Sequence, residues 1–286
     1  MPSQAVVSSP RPANFPRPFI KWAGGKTQML DQYAALYPQN FTTYHEPFVG
    51  SAAVYFHLRG LRLPIRRAWL TDSNDELMNA FRAVRDDVDG LIAKLNRHKR
   101  LHSEEHYYAV RAADPRKLSP TSRAARFIYL NKTCYNGLYR VNRKGQFNVP
   151  MGRYKNPGIF DADDLRWASQ LLRPTKIETA HFSSVLKRAK PGDFVYFDPP
   201  YYPLSKTSNF TSYTEFPFGD WEHGELARVF RELDRMECKV MLSNSWTPFV
   251  QDLYRGYNIV EVKGSRHINS KPNRRGKISE MVVTNY

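Results

Sequence analysis

Asp198-Pro199-Pro200-Tyr201 gathers a carboxylate, carbonyl acceptors and an aromatic ring within four residues. It follows Asp193-Phe194-Val195-Tyr196-Phe197, an apolar, aromatic run introduced by Pro191-Gly192, which is the pattern of a short buried strand. Two consecutive prolines lack the N–H that a ladder needs, so the strand must end there. The carboxyl end of a strand is where open α/β sheets bind ligands. The set suits a flat ring bearing an amino group: the ring stacks on Tyr201 while its NH2 donates to Asp198 and to the Pro199 carbonyl. Four residues are a short pattern, and an ordinary strand-to-loop turn with a capping aspartate reads the same way.

Two further stretches place ligand-binding chemistry near such a strand end. Phe19-Ile20-Lys21-Trp22-Ala23-Gly24-Gly25-Lys26-Thr27 ends like a phosphate loop, but that loop needs glycine where Ile20 stands, and Pro16 and Pro18 displace the preceding strand. What survives is paired glycines allowing close backbone approach, with Trp22 and Lys26 beside them. Thr42 to Val54 then reads as a strand, a small-residue turn at Gly50-Ser51-Ala52 and a helix start, the nucleotide-binding corner of doubly wound folds. Trp69-Leu70-Thr71-Asp72 is a second strand ending in a carboxylate 22 residues after Gly50, the offset at which such folds hold ribose hydroxyls. Asp72 reads either as that acid or as a helix cap, and the glycine turn before it favours the ribose role.

Other candidates are weaker. His102-Ser103-Glu104-Glu105-His106 matches H-x-x-E-H, but Ser103 before two glutamates is a helix N-cap signature that leaves His102 off the helix. A solvated face is the better reading. Two cysteines, Cys134 and Cys238, make neither a disulfide framework nor a four-thiolate zinc site. A reducing, intracellular setting is expected.

The charge balance points to a polyanionic partner. Lys plus Arg total 43 against 27 for Asp plus Glu, a net +16 over 286 residues. Between Pro115 and Phe160 there is no acid, while ten Lys or Arg interleave with Tyr129, Tyr135, Tyr139, Phe147, Tyr154, Asn131, Asn136, Asn142 and Asn148. Cations contact phosphates, Arg and Asn match guanine and adenine edges, and aromatics wedge between bases. Arg143-Lys144-Gly145 followed by Gln146-Phe147-Asn148-Val149 predicts a hairpin turning at the glycine.

The elements that must position these groups alternate. Helical patterns fall at Met29–Tyr37, Asn74–Phe81, Leu91–Ala113, Leu165–Leu172, Phe182–Ala189 and Trp221–Met236. Strand patterns fall at Lys176–Ala180 and Lys239–Asn244, with a terminal pair at Tyr257–Val262 and Ser279–Asn285. Ser208 to Tyr213 reads as a polar, aromatic lid, and six cations between Val262 and Ser279 form a second basic loop. Residues 1–18, rich in proline, read as a flexible tail, and no run approaches the ~18 apolar residues of a membrane span. The pattern is an α/β sheet interrupted by a basic insertion.

From about Phe19 to the C-terminus the chain resembles the Dam-type DNA adenine-N6 methyltransferases, the D12 class with a DPPY motif. The resemblance rests on Lys21-Trp22-Ala23-Gly24-Gly25-Lys26, Glu46-Pro47-Phe48-Val49-Gly50, Asp72, Tyr129-Leu130-Asn131-Lys132, Tyr135-Asn136-Gly137-Leu138-Tyr139-Arg140, Phe147-Asn148-Val149-Pro150, Gly152-Arg153-Tyr154 and Asp198-Pro199-Pro200-Tyr201, in the family's order. It implies a Rossmann-like S-adenosylmethionine-dependent methyltransferase sheet (residues 19–95 and 174–286) with an inserted helical and β-hairpin target-recognition domain (96–173). S-adenosylhomocysteine is the implied product, and no metal is implied. Asp198, Pro199, Pro200 and Tyr201 are then the catalytic residues, and Trp22, Lys26, Phe48, Gly50, Asp72 and Asp198 line the cofactor site. Lys21, Leu138, Arg140, Pro150 and Tyr154 correspond to base readers and Tyr135 to an aromatic beside an extruded adenine, with Asn136, Asn142 and Arg153 as further DNA contacts. The implied target is duplex DNA at GATC, acted on by a monomer in a bacterial or phage-infected cytoplasm, with room for a separately acting restriction endonuclease. Two departures stand out: Ala52 replaces the family's usual second glycine, and Gln146 stands where glutamate is frequent.

Overall fold

A computed structural model describes residues 18–22, 24–26, 28–204, 218–265 and 277–286. The lid expected at Ser208–Tyr213, all but the last residue of the expected tail, and most of the second basic loop lie outside these residues.

Seven strands form one sheet: β1 (Thr43–Glu46), β2 (Arg67–Asp72), β3 (Thr175–Thr179), β4 (Phe194–Phe197), β5 (Lys239–Ser245), β6 (Asn258–Ser265) and β7 (Lys277–Thr284). Their order is β3-β2-β1-β4-β5-β7-β6, and β7 alone runs against the rest. This is a Rossmann-like α/β sheet. The order reverses between β1 and β4, which opens a crevice at their carboxyl ends. Phe194-Val195-Tyr196-Phe197 is buried at every position because helices cover both faces. Phe194 and Tyr196 join one core with Tyr33, Tyr44 and Met241, while Val195 and Phe197 join the other with Leu226, Phe230 and Val240.

The first core is roofed by α1 (Leu30–Ala34), α2 (Ala53–Gly60) and α3 (Asp75–Asp86). The second is covered by α8 (Asp220–Arg235) and α9 (Pro248–Leu253). The path from β2 to β3 carries four more helices: α4 (Val88–Arg100), α5 (Glu104–Ala112), α6 (Pro120–Thr133) and α7 (Ala162–Leu172). Their starts follow the caps in the sequence. Asn74, Ser103, Ser119 and Asp161 each accept a first-turn N–H, and Pro120 sits where its missing N–H costs nothing.

Three expectations change. The single helix over Leu91–Ala113 is two helices, broken at Leu101-His102-Ser103 because Ser103 caps a new start. The boundary drawn at residue 95 falls inside α4, which continues to Arg100 and packs on α6 and α7. The run from Met29 holds only five helical residues, Leu30–Ala34.

Candidate active site

Asp198 emerges from β4 into the crevice, with 21 % of its side chain open to solvent. The Lys26 ammonium, 2 % exposed, lies 2.7 Å from Asp198 Oδ1. It also donates to the Gly24 carbonyl at 2.6 Å and sits 4.4 Å from the centre of the Tyr201 ring. A second donor reaches the same carboxylate oxygen from β5: Ser243 Oγ at 2.9 Å, itself 2.9 Å from the Tyr196 hydroxyl. Burial pushes the Asp198 carboxyl up, against the pull of Lys26 and Ser243.

The loop after Asp198 is pinned from β5 and β7. Asn244 Oδ1 accepts the Tyr202 N–H at 3.1 Å, and Ser245 Oγ donates to the Tyr202 carbonyl at 2.7 Å. Tyr201 donates its hydroxyl proton to Glu280 of β7 at 2.5 Å. Glu280 is held above the usual carboxylate range by burial, with Lys26 opposing. The Asn244 amide nitrogen is buried without a partner among the described residues. Ser243, Asn244 and Glu280 were not foreseen. They lie on distant strands, and no local motif marks them.

Across the crevice, the turn after β1 brings Gly50 against Trp22. Gly50 has φ +47°, and a Cβ there would meet Trp22 Cδ1 at 2.8 Å, so only glycine lets the indole lie on this backbone. Asp72 joins both sides of the corner: Oδ2 accepts the Gly50 N–H at 3.4 Å and Oδ1 the Asn74 N–H at 3.0 Å. Asp72 therefore ties the turn after β1 to the loop ahead of α3, and the cap of that helix is Asn74 rather than Asp72. Burial pushes its carboxyl up to about 6. Phe48 packs among Phe182, Phe197 and Phe218, stacked on Phe182 at 5.3 Å.

The basic stretch builds a hairpin in the expected place. Val141 and Phe147 form an antiparallel bridge, Asn148 N donates to the Arg140 carbonyl, and the chain turns through Gly145. Asn142 Oδ1 accepts from Lys144 N and Gln146 N, and its amide donates to Gln146 Oε1 at 3.1 Å, so Asn142 and Gln146 stabilise the tip itself. Arg140 Nε donates to Asn148 Oδ1 at 2.8 Å. At the root, Cys134 bridges Met151 and Tyr135 N donates to the Pro150 carbonyl. Tyr135 is 52 % exposed, Asn136 beside it has φ +54°, and Leu138 is half-buried on the core. Tyr154 lies under Lys21, whose ammonium is 4.4 Å from the ring centre and 3.3 Å from the hydroxyl. Pro150 and Arg153 are exposed.

The histidine pattern is neither a zinc motif nor a solvated face. His102 Nδ1 meets the Tyr129 hydroxyl at 2.8 Å, His106 pairs with His98 at 2.9 Å, and His98 stacks on the Tyr129 ring at 4.8 Å. All three histidines are half-buried, because α6 lays Tyr129 across them. Both cysteines are buried and free.

Residues 22–268 match the family described as D12 class N6 adenine-specific DNA methyltransferase. The chain is 43% identical over 276 residues to the type II methyltransferase M1.LlaDCHI of Lactococcus lactis subsp. cremoris, covering 94% of this chain and 95% of that one. It is 45% identical over 287 residues to the type II methyltransferase M.MjaIII of Methanocaldococcus jannaschii, covering 94% and 99%. Against the DNA adenine methylase of Escherichia coli K12 it is 33% identical over 274 residues, covering 93% and 94%. With matches that run nearly end to end, the chain belongs to the D12 class of N6 adenine-specific DNA methyltransferases.

Proposed function

We propose that this enzyme transfers a methyl group from S-adenosylmethionine to N6 of an adenine turned out of duplex DNA, within GATC. The observation that carries the reading is the Lys26 ammonium, held by the Asp198 carboxylate over the face of Tyr201. An N–H donor above that ring and against that carboxylate occupies the place an adenine amino group would take.

The opposite side of the crevice fits the cofactor. Gly50 offers bare backbone under the Trp22 indole, Asp72 presents a carboxylate at the end of β2, and Phe48 lines the corner. Trp22, Lys26, Phe48, Gly50, Asp72 and Asp198 would hold it. When bound, S-adenosylmethionine supplies a sulfonium-borne methyl and leaves as neutral S-adenosylhomocysteine.

The chain's own residues do the rest. Adenine N6 is a poor nucleophile because its lone pair is delocalised into the ring. Asp198 and the Pro199 carbonyl accept hydrogen bonds from both amino hydrogens and so draw the lone pair out of conjugation, and once N6 is methylated it sheds one of those protons by way of the Asp198 carboxylate to water. Pro200 keeps the loop rigid, Tyr201 carries the ring, and Ser243 keeps the carboxylate turned toward the crevice. Positioning of this kind is worth up to ~7–11 kcal/mol, and oriented acceptors stabilise the charge developing on nitrogen. Turning the nucleotide out costs a few kcal/mol. Contacts from Lys21 and from the 96–173 insertion offset it, with Tyr135, Asn136, Leu138, Arg140, Asn142, Pro150, Arg153 and Tyr154 in that role. The enzyme acts as a monomer in a bacterial or phage-infected cytoplasm, with any cognate endonuclease acting separately.

Incubation with methyl-labelled cofactor and GATC duplexes, followed by mapping of modified bases, tests the reading. Label is expected in N6-methyladenine at GATC. Asp198→Ala should abolish transfer while DNA affinity stays within about twofold, and Arg140→Ala should relax choice at one base pair by roughly 1–3 kcal/mol. Label confined to cytosine, or none, overturns it.

A further inference from the structure

Between Lys21 and Lys26 the chain passes three chemically distinct places. Lys21 reaches Tyr154 in the insertion, the Trp22 ring covers Gly50 and stacks on Tyr139 at 5.8 Å, and Lys26 holds Asp198. Its described residues belong to no strand or helix, so no ladder fixes their register.

One buried side chain supplies the missing rung. Asn131, on α6 and 1 % exposed, accepts the Lys21 N–H through Oδ1 at 2.7 Å. Its Nδ2 donates to the Lys21 carbonyl at 2.7 Å and to the Gly137 carbonyl at 3.2 Å. The amide thus satisfies both backbone groups of Lys21 and also grips the turn that opens the recognition hairpin. Gly137 has φ +65°, and a Cβ there would meet Lys21 Cδ at 2.5 Å, so the lysine stem lies directly on that turn. A shift of Gly137 is therefore passed to Lys21 by contact and through the shared amide. Asn131 is itself buried and its bond to the Gly137 carbonyl lies wholly inside, so losing that bond leaves a buried acceptor unpaired.

We propose that Asn131 is a positioning residue that couples reading of the DNA sequence to the cofactor wall and the catalytic carboxylate. The inference rests on the function proposed above. Seating of Tyr135–Arg140 on DNA fixes Gly137, Asn131 transmits this to the Lys21 backbone, and the next residues carry it to Trp22 and Lys26. Coupling between two binding sites is reciprocal, so cofactor binding must equally sharpen sequence choice.

The test is DNA binding by fluorescence anisotropy, with and without S-adenosylhomocysteine, on a GATC duplex and on one changed at a single base pair. The parent should bind the GATC duplex about tenfold tighter with S-adenosylhomocysteine than without. In Asn131→Ala that factor should fall to about two or less. Its affinities for S-adenosylhomocysteine alone and for the changed duplex should stay within about threefold of the parent. A parallel loss of all affinities makes Asn131 a structural clip and overturns the inference. So does undiminished coupling in the variant, or none in the parent. Where Asn131→Ala does not fold, Asn131→Asp keeps the acceptor for Lys21 N–H and removes both donors, and the same comparison decides. A parent that methylates no DNA refutes the function proposed above; a parent that does, beside an equally coupled variant, refutes this inference alone.

Discussion

The Lys26 ammonium stands 2.7 Å from Asp198 Oδ1 and 4.4 Å above the centre of Tyr201, so one cation covers both the acceptor and the aromatic face of the crevice. On the proposed function an incoming amino group displaces it, and in the free enzyme its charge bears on how Asp198 titrates. Lys26 and Ser243 oppose the upward pull of burial on that carboxyl. Without Lys26, Asp198 ionises at still higher pH. For Lys26→Met we expect the acid limb of kcat/KM to move to higher pH, with a deeper loss at pH 6 than at pH 8.5. An acid limb that stays where the parent has it would exclude this role for Lys26.

Tyr201 is aimed by Glu280, which accepts its hydroxyl proton. Glutamine keeps an acceptor at that place, whereas alanine leaves a buried hydroxyl unpaired and the ring free to tilt. Glu280→Ala is expected to lower kcat about tenfold, a loss of roughly 1.4 kcal/mol of transition-state stabilisation. Cofactor affinity should be little changed and Glu280→Gln should recover most of kcat. Equal losses in the two variants would mean that the carboxylate charge matters and the hydrogen bond does not.

Asp72 lowers stability at neutral pH, a cost that the proposed cofactor role would account for. Burial pushes its carboxyl up to about 6 in the folded protein from an ordinary 3.8, so folding takes up a proton between those values. Stability is therefore greatest below about pH 4 with respect to this group and falls as pH rises through 6. The shift bounds this cost at roughly 3 kcal/mol, trimmed by partial exposure and by the second acceptor that asparagine lacks. Asp72→Asn should gain roughly 1 kcal/mol at pH 8, visible as a higher Tm, while cofactor affinity drops. A variant that binds cofactor as the parent does would remove Asp72 from the site.

Local chemistry made much of this site legible. Phe194 to Tyr201 contains its own strand, its own stop and its own acceptor. Ser103 and Asn74 announce helix starts within three residues. What was not legible arrives from far along the chain: Ser243 is 45 residues from Asp198, and Glu280 is 79 from Tyr201. Nothing in the sequence near either marks a partner that only the strand order brings alongside. The histidines read as solvated because the burial comes from Tyr129, 27 residues beyond His102. Asn131 stood in view within a basic, polar stretch, and only the path of α6 shows that it faces Lys21 rather than nucleic acid.

Ala52 occupies a left-handed conformation, φ +56°, at the N-cap of α2. That region costs a residue with a Cβ roughly 1 kcal/mol, and glycine avoids it. Ala52 is fully buried, so valine adds both strain and overpacking. Ala52→Gly should raise Tm by about 1–3 °C at unchanged activity, and Ala52→Val should lower it by more. A lower Tm for the glycine variant would show that the Ala52 methyl packs better than its backbone is strained.

The insertion should weaken in acid, for a reason rooted in α6, the helix that leads into the hairpin bridged at Val141 and Phe147. His98 Nδ1 and His106 Nε2 face each other at 2.9 Å, an arrangement that needs one nitrogen to lack a proton. Burial pushes His98 down to about 4, helped by His106, Arg97 and Lys94. Burial also lowers His102, and burial followed by His102 and Arg97 lowers His106. A histidine with a depressed folded pKa contributes stability that is present above its unfolded value near 6.5 and is lost as pH falls toward 4. Hydrogen exchange at pH 7.5 and at pH 5.5 should show α4, α5 and α6 losing protection at the lower pH while β4 and β5 keep theirs. His98→Phe retains the stacking on Tyr129 and removes the titrating nitrogen, so its protection should vary less with pH. Loss of protection spread evenly over sheet and insertion would place the acid-sensitive group elsewhere, because among the described residues it is α4 to α6 that clasp these rings.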